Sequence, residues 1–114
     1  NLVLDQRGKN IDALRPWPQN SAIIVDSTMK RVTLTPMYWA TKHFSALVQP
    51  GARVVGSQSS YADQIVFVNP DGTRVVELLN ESGAPVTLTV VDGGRRQPLV
   101  LPAQSFGSLL LPRG

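Results

Sequence analysis

Residues 35–51 read TPMYWATKHFSALVQPG, the one stretch of this chain that carries a complete set of helix signals. Thr35 can accept a backbone N–H as the N-cap, Pro36 suits the first helical position, and Pro50-Gly51 ends the run just past Val48. Between those marks Met37, Ala40, Thr41, Phe44, Leu47 and Val48 recur at three- and four-residue spacing, which gathers them on one face of the helix. Such a face must be buried against something. The stretch also separates two unlike halves, an irregular segment before it and a series of short strands after it. The expected fold is therefore mainly β, an antiparallel β-sandwich with one α-helix.

Upstream, Leu2 to Leu4 reads as a short strand buried on both faces, as in parallel sheets and barrels, and Asp5 closes it. The run from Asn10 to Ser21 has no periodicity, and its two prolines, Pro16 and Pro18, flank Trp17 in an extended loop of restricted flexibility. Ile23 to Val25 and Val32 to Leu34 are strand candidates joined by the turn chemistry of Asp26-Ser27-Thr28. Downstream, six candidates follow at the short spacing of a sandwich: Ala52 to Gly56, Gln64 to Val68, Thr73 to Leu79, Val86 to Val91, Leu99 to Leu101 and Phe106 to Leu111. Asn69-Pro70-Asp71-Gly72 is a strong hairpin signal, and Asp92-Gly93-Gly94 is a second turn. Val86, Leu88 and Val90 alternate with Thr87 and Thr89, so that strand has one apolar face. Ile65 to Val68 is apolar on both, which places it centrally or under cover on both sides.

The chain has 114 residues, enough for one domain with a real core. Hydrophobic residues make up 42% and charged residues 17%, an ordinary globular balance, and no run approaches the roughly 18 apolar residues of a membrane span. Net charge is +3, but the eleven basic residues are scattered, which argues against a nucleic-acid surface. The absence of cysteine excludes disulfides, thiolate metal sites and cysteine nucleophiles. Asn1 to Asp5 is an apolar opening without a leader or an initiator methionine, from which a segment of a larger protein is expected. Composition leaves the compartment open, with secretion or the periplasm preferred to the cytoplasm.

Chemistry-bearing residues are few. His43 is the only histidine and has no partner that spacing reveals, so a packing or helix-surface role is favoured over a general base. No metal cluster, phosphate loop or nucleophile elbow is present, and no cofactor is expected. Asp5, Asp12 and Asp26 do not pair convincingly as the two acids of a sugar hydrolase. Trp17 between its prolines suits a sugar-stacking platform, and equally suits buried packing. Gln19 and Asn20 beside it could donate and accept hydrogen bonds to a sugar or cap the next strand. Trp17, Gln19, Asn20 and Asp5 are thus the candidate substrate-binding residues, and no catalytic residue is assigned. Tyr38 and Trp39 lie on the helix and are read as packing.

In order along the chain, Asn1-Leu2-Val3-Leu4-Asp5, Pro16-Trp17-Pro18-Gln19-Asn20-Ser21, Val25-Asp26, Thr35-Pro36-Met37-Tyr38, His43-Phe44-Ser45, Val48-Gln49-Pro50-Gly51-Ala52, Asn69-Pro70-Asp71-Gly72 and Leu79-Asn80 form a recognisable set. Together they resemble the C-terminal part of glycoside hydrolase family 30, which includes the glucosylceramidases. The resemblance implies a (β/α)8 barrel fused to a β-sandwich side domain. Residues 1–49 would be the last β/α unit of the barrel and residues 50–114 most of the side domain. It also implies retaining hydrolysis of β-glycosides by two glutamates on other barrel strands. The only glutamates here, Glu77 and Glu81, match neither catalytic motif. The family's sandwich further borrows strands from the N-terminal part of its chain. The implied partners are a carbohydrate substrate in the parent enzyme and, for the isolated chain, either the missing barrel portion or a second copy of itself. An alternative reading is a stand-alone carbohydrate-binding or interaction sandwich in which the first 49 residues fold back as an extra layer.

The two readings forecast different behaviour in solution. The fragment should run as an oligomer or aggregate with a weak thermal transition, whereas the stand-alone module should be a monomer with a sharp melt; light scattering alongside a thermal melt decides.

Overall fold

The computed structural model describes residues 1–10 and 12–114, so Ile11, within the loop expected from 10 to 21, lies outside the described residues. The chain divides into two compact units, Asn1–Lys42 and His43–Gly114, with the boundary inside its α-helix. It is mainly β, with antiparallel pairing throughout except for one parallel pair, and carries a single α-helix among the described residues.

In the first unit, β1 (Val3–Asp5), β2 (Ile23–Asp26) and β3 (Arg31–Leu34) form a sheet in that order. β1 runs parallel to β2 with Val3 opposite Ile23, and β2 runs antiparallel to β3 with Ile23 opposite Leu34. The hairpin between β2 and β3 closes as its turn chemistry predicts: Asp26 Oδ1 accepts the N–H groups of Thr28 at 3.0 Å and Met29 at 2.9 Å. β1 corrects one expectation. Leu4 is buried at 8% exposure, but Leu2 at 70% and Val3 at 48% are open. Among the described residues the strand has a neighbour on one edge only, and alternation puts Val3 on the same open face as Val25, Val32 and Leu34.

The helix α1 spans Pro36–Leu47. Thr35 precedes it as expected, and its carbonyl accepts from Tyr38 N at 3.0 Å. Its hydroxyl, however, donates to the carbonyls of Ser21 at 2.6 Å and Ala22 at 3.2 Å instead of accepting a helix N–H. No residue of α1 is fully buried. The predicted stripe therefore finds only part of its partner: Phe44 meets Phe67 and Phe106 edge-on at 6.2 Å, while Met37 is exposed.

In the second unit, β4 (Arg53–Val55), β5 (Gln64–Val68), β6 (Arg74–Asn80), β7 (Val86–Asp92), β8 (Arg95–Leu101) and β9 (Ser105–Leu111) make two antiparallel sheets, ordered β4-β5-β6-β9 and β7-β8. β5 lies between β4 and β6 with all five residues half-buried, matching its two apolar faces. β8 is longer than the three residues expected. Arg95, Arg96 and Pro98 hid its first half, yet Pro98 stands opposite Thr89 in an unbroken register because β8 has an open outer edge.

β6 is buried on both sides. Val76 and Leu78 share a core with Leu101, Leu88, Leu99, Leu109 and others, alternation puts Asn80 on the same face, and Val75 and Glu77 occupy the opposite one. Gly107 lies beside Leu78, and a Cβ there would stand 2.6 Å from Leu101 Cδ1, so any larger residue would have to push the buried Leu101 side chain aside.

Two buried asparagines tie the connections down. Asn69 Oδ1 accepts from Gln49 N at 2.9 Å and its Nδ2 donates to Leu47 O at 3.0 Å, which anchors the end of α1 to the β5-β6 turn. Asn80 Nδ2 donates to Ala84 O at 2.9 Å, Pro102 O at 2.9 Å and Leu101 O at 3.2 Å, and its Oδ1 accepts from Ser82 N and Oγ. In the β5-β6 turn, Asp71 accepts from Thr73 Oγ1 at 2.6 Å, Thr73 N at 2.9 Å and Gln49 Nε2 at 2.8 Å; these bonds hold its carboxyl down at about 2.

Removing the Asn80 amide leaves several buried backbone groups without a partner, so Asn80→Ala should destabilise the second unit by about 2–4 kcal/mol, read by urea denaturation. Asp71 is depressed from 3.8 to about 2 on folding, so its contribution is complete above the higher value and fades as pH falls through the lower one. Wild type should therefore lose more stability than Asp71→Asn across that window, and parallel acid titrations of the two would refute this attribution if their curves stayed superimposed.

Candidate functional site

The loop that carries Trp17 is held by hydrogen bonds to its own backbone and to the Asn10 side chain. Asn10 Oδ1 accepts Trp17 N at 2.9 Å, Trp17 O accepts Asn10 N at 3.3 Å, and Gln19 N donates to Gly8 O at 2.9 Å. Lys9 and Pro18 form an isolated antiparallel bridge across the same fold. The indole is 47% exposed, so one of its two readings, full burial in a core, is excluded: an aromatic surface is left in solvent on a loop that cannot swing freely.

The four candidate residues do not converge on one point. Gln19 and Asn20 line a cavity of about 310 Å³, together with Leu4, Gly8, Ser21 and Thr35. Neither Trp17 nor Asp5 lines it. Gln19 is also engaged by Asn1, whose Nδ2 donates to Gln19 Oε1. Asp5 is already satisfied by Arg7, which donates Nε to Oδ2 at 2.7 Å and its backbone N to Oδ1 at 2.9 Å. The Arg7 guanidinium holds the Asp5 carboxyl below its usual range, so Asp5 is an ionised, fully paired group rather than a proton donor. Sequence patterning missed Gly8 and Thr35 as cavity residues because the contact depends on the loop folding back over the end of β1.

On the helix, Trp39 is 49% exposed, so its expected packing role is corrected. It stacks edge-on with Tyr38 at 5.1 Å, and Lys42 Nζ lies 5.4 Å from its ring centre.

The second unit holds an open cleft of about 800 Å³ between its two sheets, floored by Val76 and Leu78 and rimmed by Ser57, Tyr61, Thr87 and Thr89. Arg74 at one end pairs with Asp92 at 2.6 Å and donates to Pro112 O at 2.7 Å. On the other face of β6, His43 Nδ1 lies 2.5 Å from Ser108 Oγ and its ring stacks on Phe106 at 5.7 Å. Its packing role is thus as expected, but Glu77 and Ser108 beside it were not foreseen. The signal was a single acidic residue, Glu77, inside the otherwise apolar run Val75 to Leu79. Among the described residues no group of three or more metal-ligating side chains occurs, and no helix is long and apolar enough to cross a membrane.

Comparison with known proteins agrees with this architecture. The chain is 34% identical over 82 residues to mouse lysosomal acid glucosylceramidase, a match covering 67% of this chain and 16% of that protein. It is 33% identical over 88 residues to endo-1,6-beta-D-glucanase neg1 of Aspergillus fumigatus, covering 70% of this chain and 18% of the relative. Among solved structures, SrfJ from Salmonella typhimurium superimposes with a TM-score of 0.84 at 32% identity, covering 100% of this chain and 25% of that one. The chain therefore spans less than a fifth of the length of the mouse and Aspergillus relatives and a quarter of SrfJ. Residues 51–109 match the profile of the glycosyl hydrolase family 30 beta sandwich domain, and with the sandwich of β4 to β9 in place the chain belongs to that family.

Proposed function

We propose that these 114 residues work as the C-terminal part of a retaining β-glycosidase, with residues 1–49 supplying the last β/α unit of a (β/α)8 barrel and residues 50–114 the sandwich side domain. The observation that carries this reading is the end-to-end superposition on one quarter of the SrfJ chain, which includes the segment before the sandwich as well as the sandwich itself. The open apolar face of Val3, Val25, Val32 and Leu34 supports it, because a barrel strand needs cover on that side. The β7-β8 hairpin supports it too: two strands are few for one layer of a sandwich, and strands borrowed from elsewhere in the parent would extend that layer over the cleft.

In this role the chain binds and positions but does not cleave. Retaining hydrolysis needs a nucleophile and an acid/base roughly 5 Å apart, and both are assigned to glutamates outside these residues. Trp17 is the residue assigned to the sugar: a half-exposed indole on a braced loop presents a flat apolar surface to the ring C–H groups at little entropic cost. Gln19 and Asn20 supply hydrogen-bonding groups at the neighbouring cavity. The substrate class is a β-linked carbohydrate.

Purified chain should show no hydrolysis of an aryl β-glucoside; turnover that withstands Asp5→Ala and a contamination control would overturn the assignment. Within the whole enzyme, Trp17→Ala should raise KM by roughly five- to tenfold, about 1 kcal/mol of lost stacking, with little change in kcat. A stand-alone sugar-binding sandwich would instead show Trp17-dependent affinity in the isolated chain, measurable by titration calorimetry.

A further inference from the structure

Glu77 is the one ionisable side chain among the described residues that is fully buried, at 2% exposure. It sits mid-strand in β6 between Ile65 of β5 and Ser108 of β9. Its Oε2 is 2.5 Å from Ser108 Oγ, which is in turn 2.5 Å from His43 Nδ1, and the imidazole nitrogen is 4.0 Å from the same carboxylate oxygen. Oε1 is buried and finds no hydrogen-bond partner among the described residues. Facing this group are Ile65 and Phe67 from β5, Val75 and Leu79 from β6, Phe106 and Leu110 from β9, and His43 and Phe44 from α1. His43 is the only other ionisable side chain among these.

For a neutral imidazole the proton count along this line has two solutions. A serine hydroxyl has one proton to donate. With Glu77 ionised, Ser108 must donate to Oε2 and accept from His43, which requires the imidazole proton on Nδ1. With a proton on Oε2, Glu77 donates to Ser108, Ser108 turns its own proton toward Nδ1, and the imidazole proton must sit on Nε2. The second arrangement also avoids leaving a charged, half-satisfied carboxylate in an apolar layer.

We propose that Glu77, Ser108 and His43 form a proton-coupled latch joining β6, β9 and the end of α1. Uptake of one proton at the carboxylate reverses both hydrogen bonds, shifts the imidazole proton from Nδ1 to Nε2 by way of solvent, and tightens the second unit in mild acid. His43 is 31% exposed, so its ring can exchange that proton. Burial pushes the Glu77 carboxyl up from its ordinary 4.5, against the opposing pull of the Ser108 hydroxyl and of positive charge on His43 when that ring is protonated. Between that value and the raised one the folded chain binds a proton that the unfolded chain does not, so stability is gained as pH falls through the window and lost as it rises.

Because the chain has a single histidine, imidazole ¹⁵N spectra report His43 alone. As pH falls through the Glu77 titration, the Nε2–H form should replace Nδ1–H in step with the ¹³C titration of the Glu77 carboxyl, and the urea midpoint should rise. Glu77→Gln, whose amide can donate to Ser108 permanently, should hold His43 in the Nε2–H form throughout and flatten the urea profile. Ser108→Ala should uncouple the histidine from the carboxyl while leaving the chain folded. A His43 tautomer that ignores the Glu77 titration in wild type, or a Glu77 that titrates at or below 4.5, would overturn the latch without any variant being needed.

Discussion

The second unit depends on one strand being buried on both faces. β6 has β5 on one edge and β9 on the other, so its backbone hydrogen bonds are met within the sheet, and its side chains alternate between two packed layers. One layer is the sandwich core, where Val76 and Leu78 meet Leu101. The other is the layer of Phe67, Val75 and Phe106 that receives the end of α1 through Phe44 and His43. A slip of one residue in β6 would exchange the two sets, moving Glu77 into the aliphatic core and away from its Ser108 partner on β9, and Asn80 away from the three carbonyls it serves. Register here is fixed by polar groups as firmly as by apolar ones.

The same division explains what could be read from the residues and what could not. Strand positions that alternate cleanly, such as Val86 to Val91, and turns with a strong chemical signature, such as Asn69 to Gly72, show themselves in a window of a few residues. Arg95 to Pro98 did not, because a strand that lies on an outer edge needs neither apolar alternation nor a complete set of N–H donors. The burial of β1 was overestimated for a related reason: periodicity shows that a strand can be covered on both faces, but not whether a second neighbour is there to cover it.

At the candidate site the limit is different. Trp17 drew attention through its flanking prolines, and its exposure and its braced loop follow from local chemistry. The engagement of Asp5 by Arg7 was also within reach, two residues away along the chain. The meeting of Gln19 with Gly8 and Thr35, and of His43 with Ser108, joins positions far apart in sequence. No periodicity encodes such pairs; they appear only once the strands between them have been placed.

The two edges of the β7-β8 hairpin differ in a way that bears on how the chain resists aggregation. β8 carries Arg95 and Arg96 and, at Pro98, a residue with no N–H to offer an incoming strand, which makes that edge a poor template for β-aggregation. β7, with Val86, Leu88, Val90 and Val91 and no charge before Asp92, carries no such gatekeepers. Cross-β growth between copies would therefore start at β7, so a lysine or proline placed on its outer edge is the natural first step toward keeping the chain in solution.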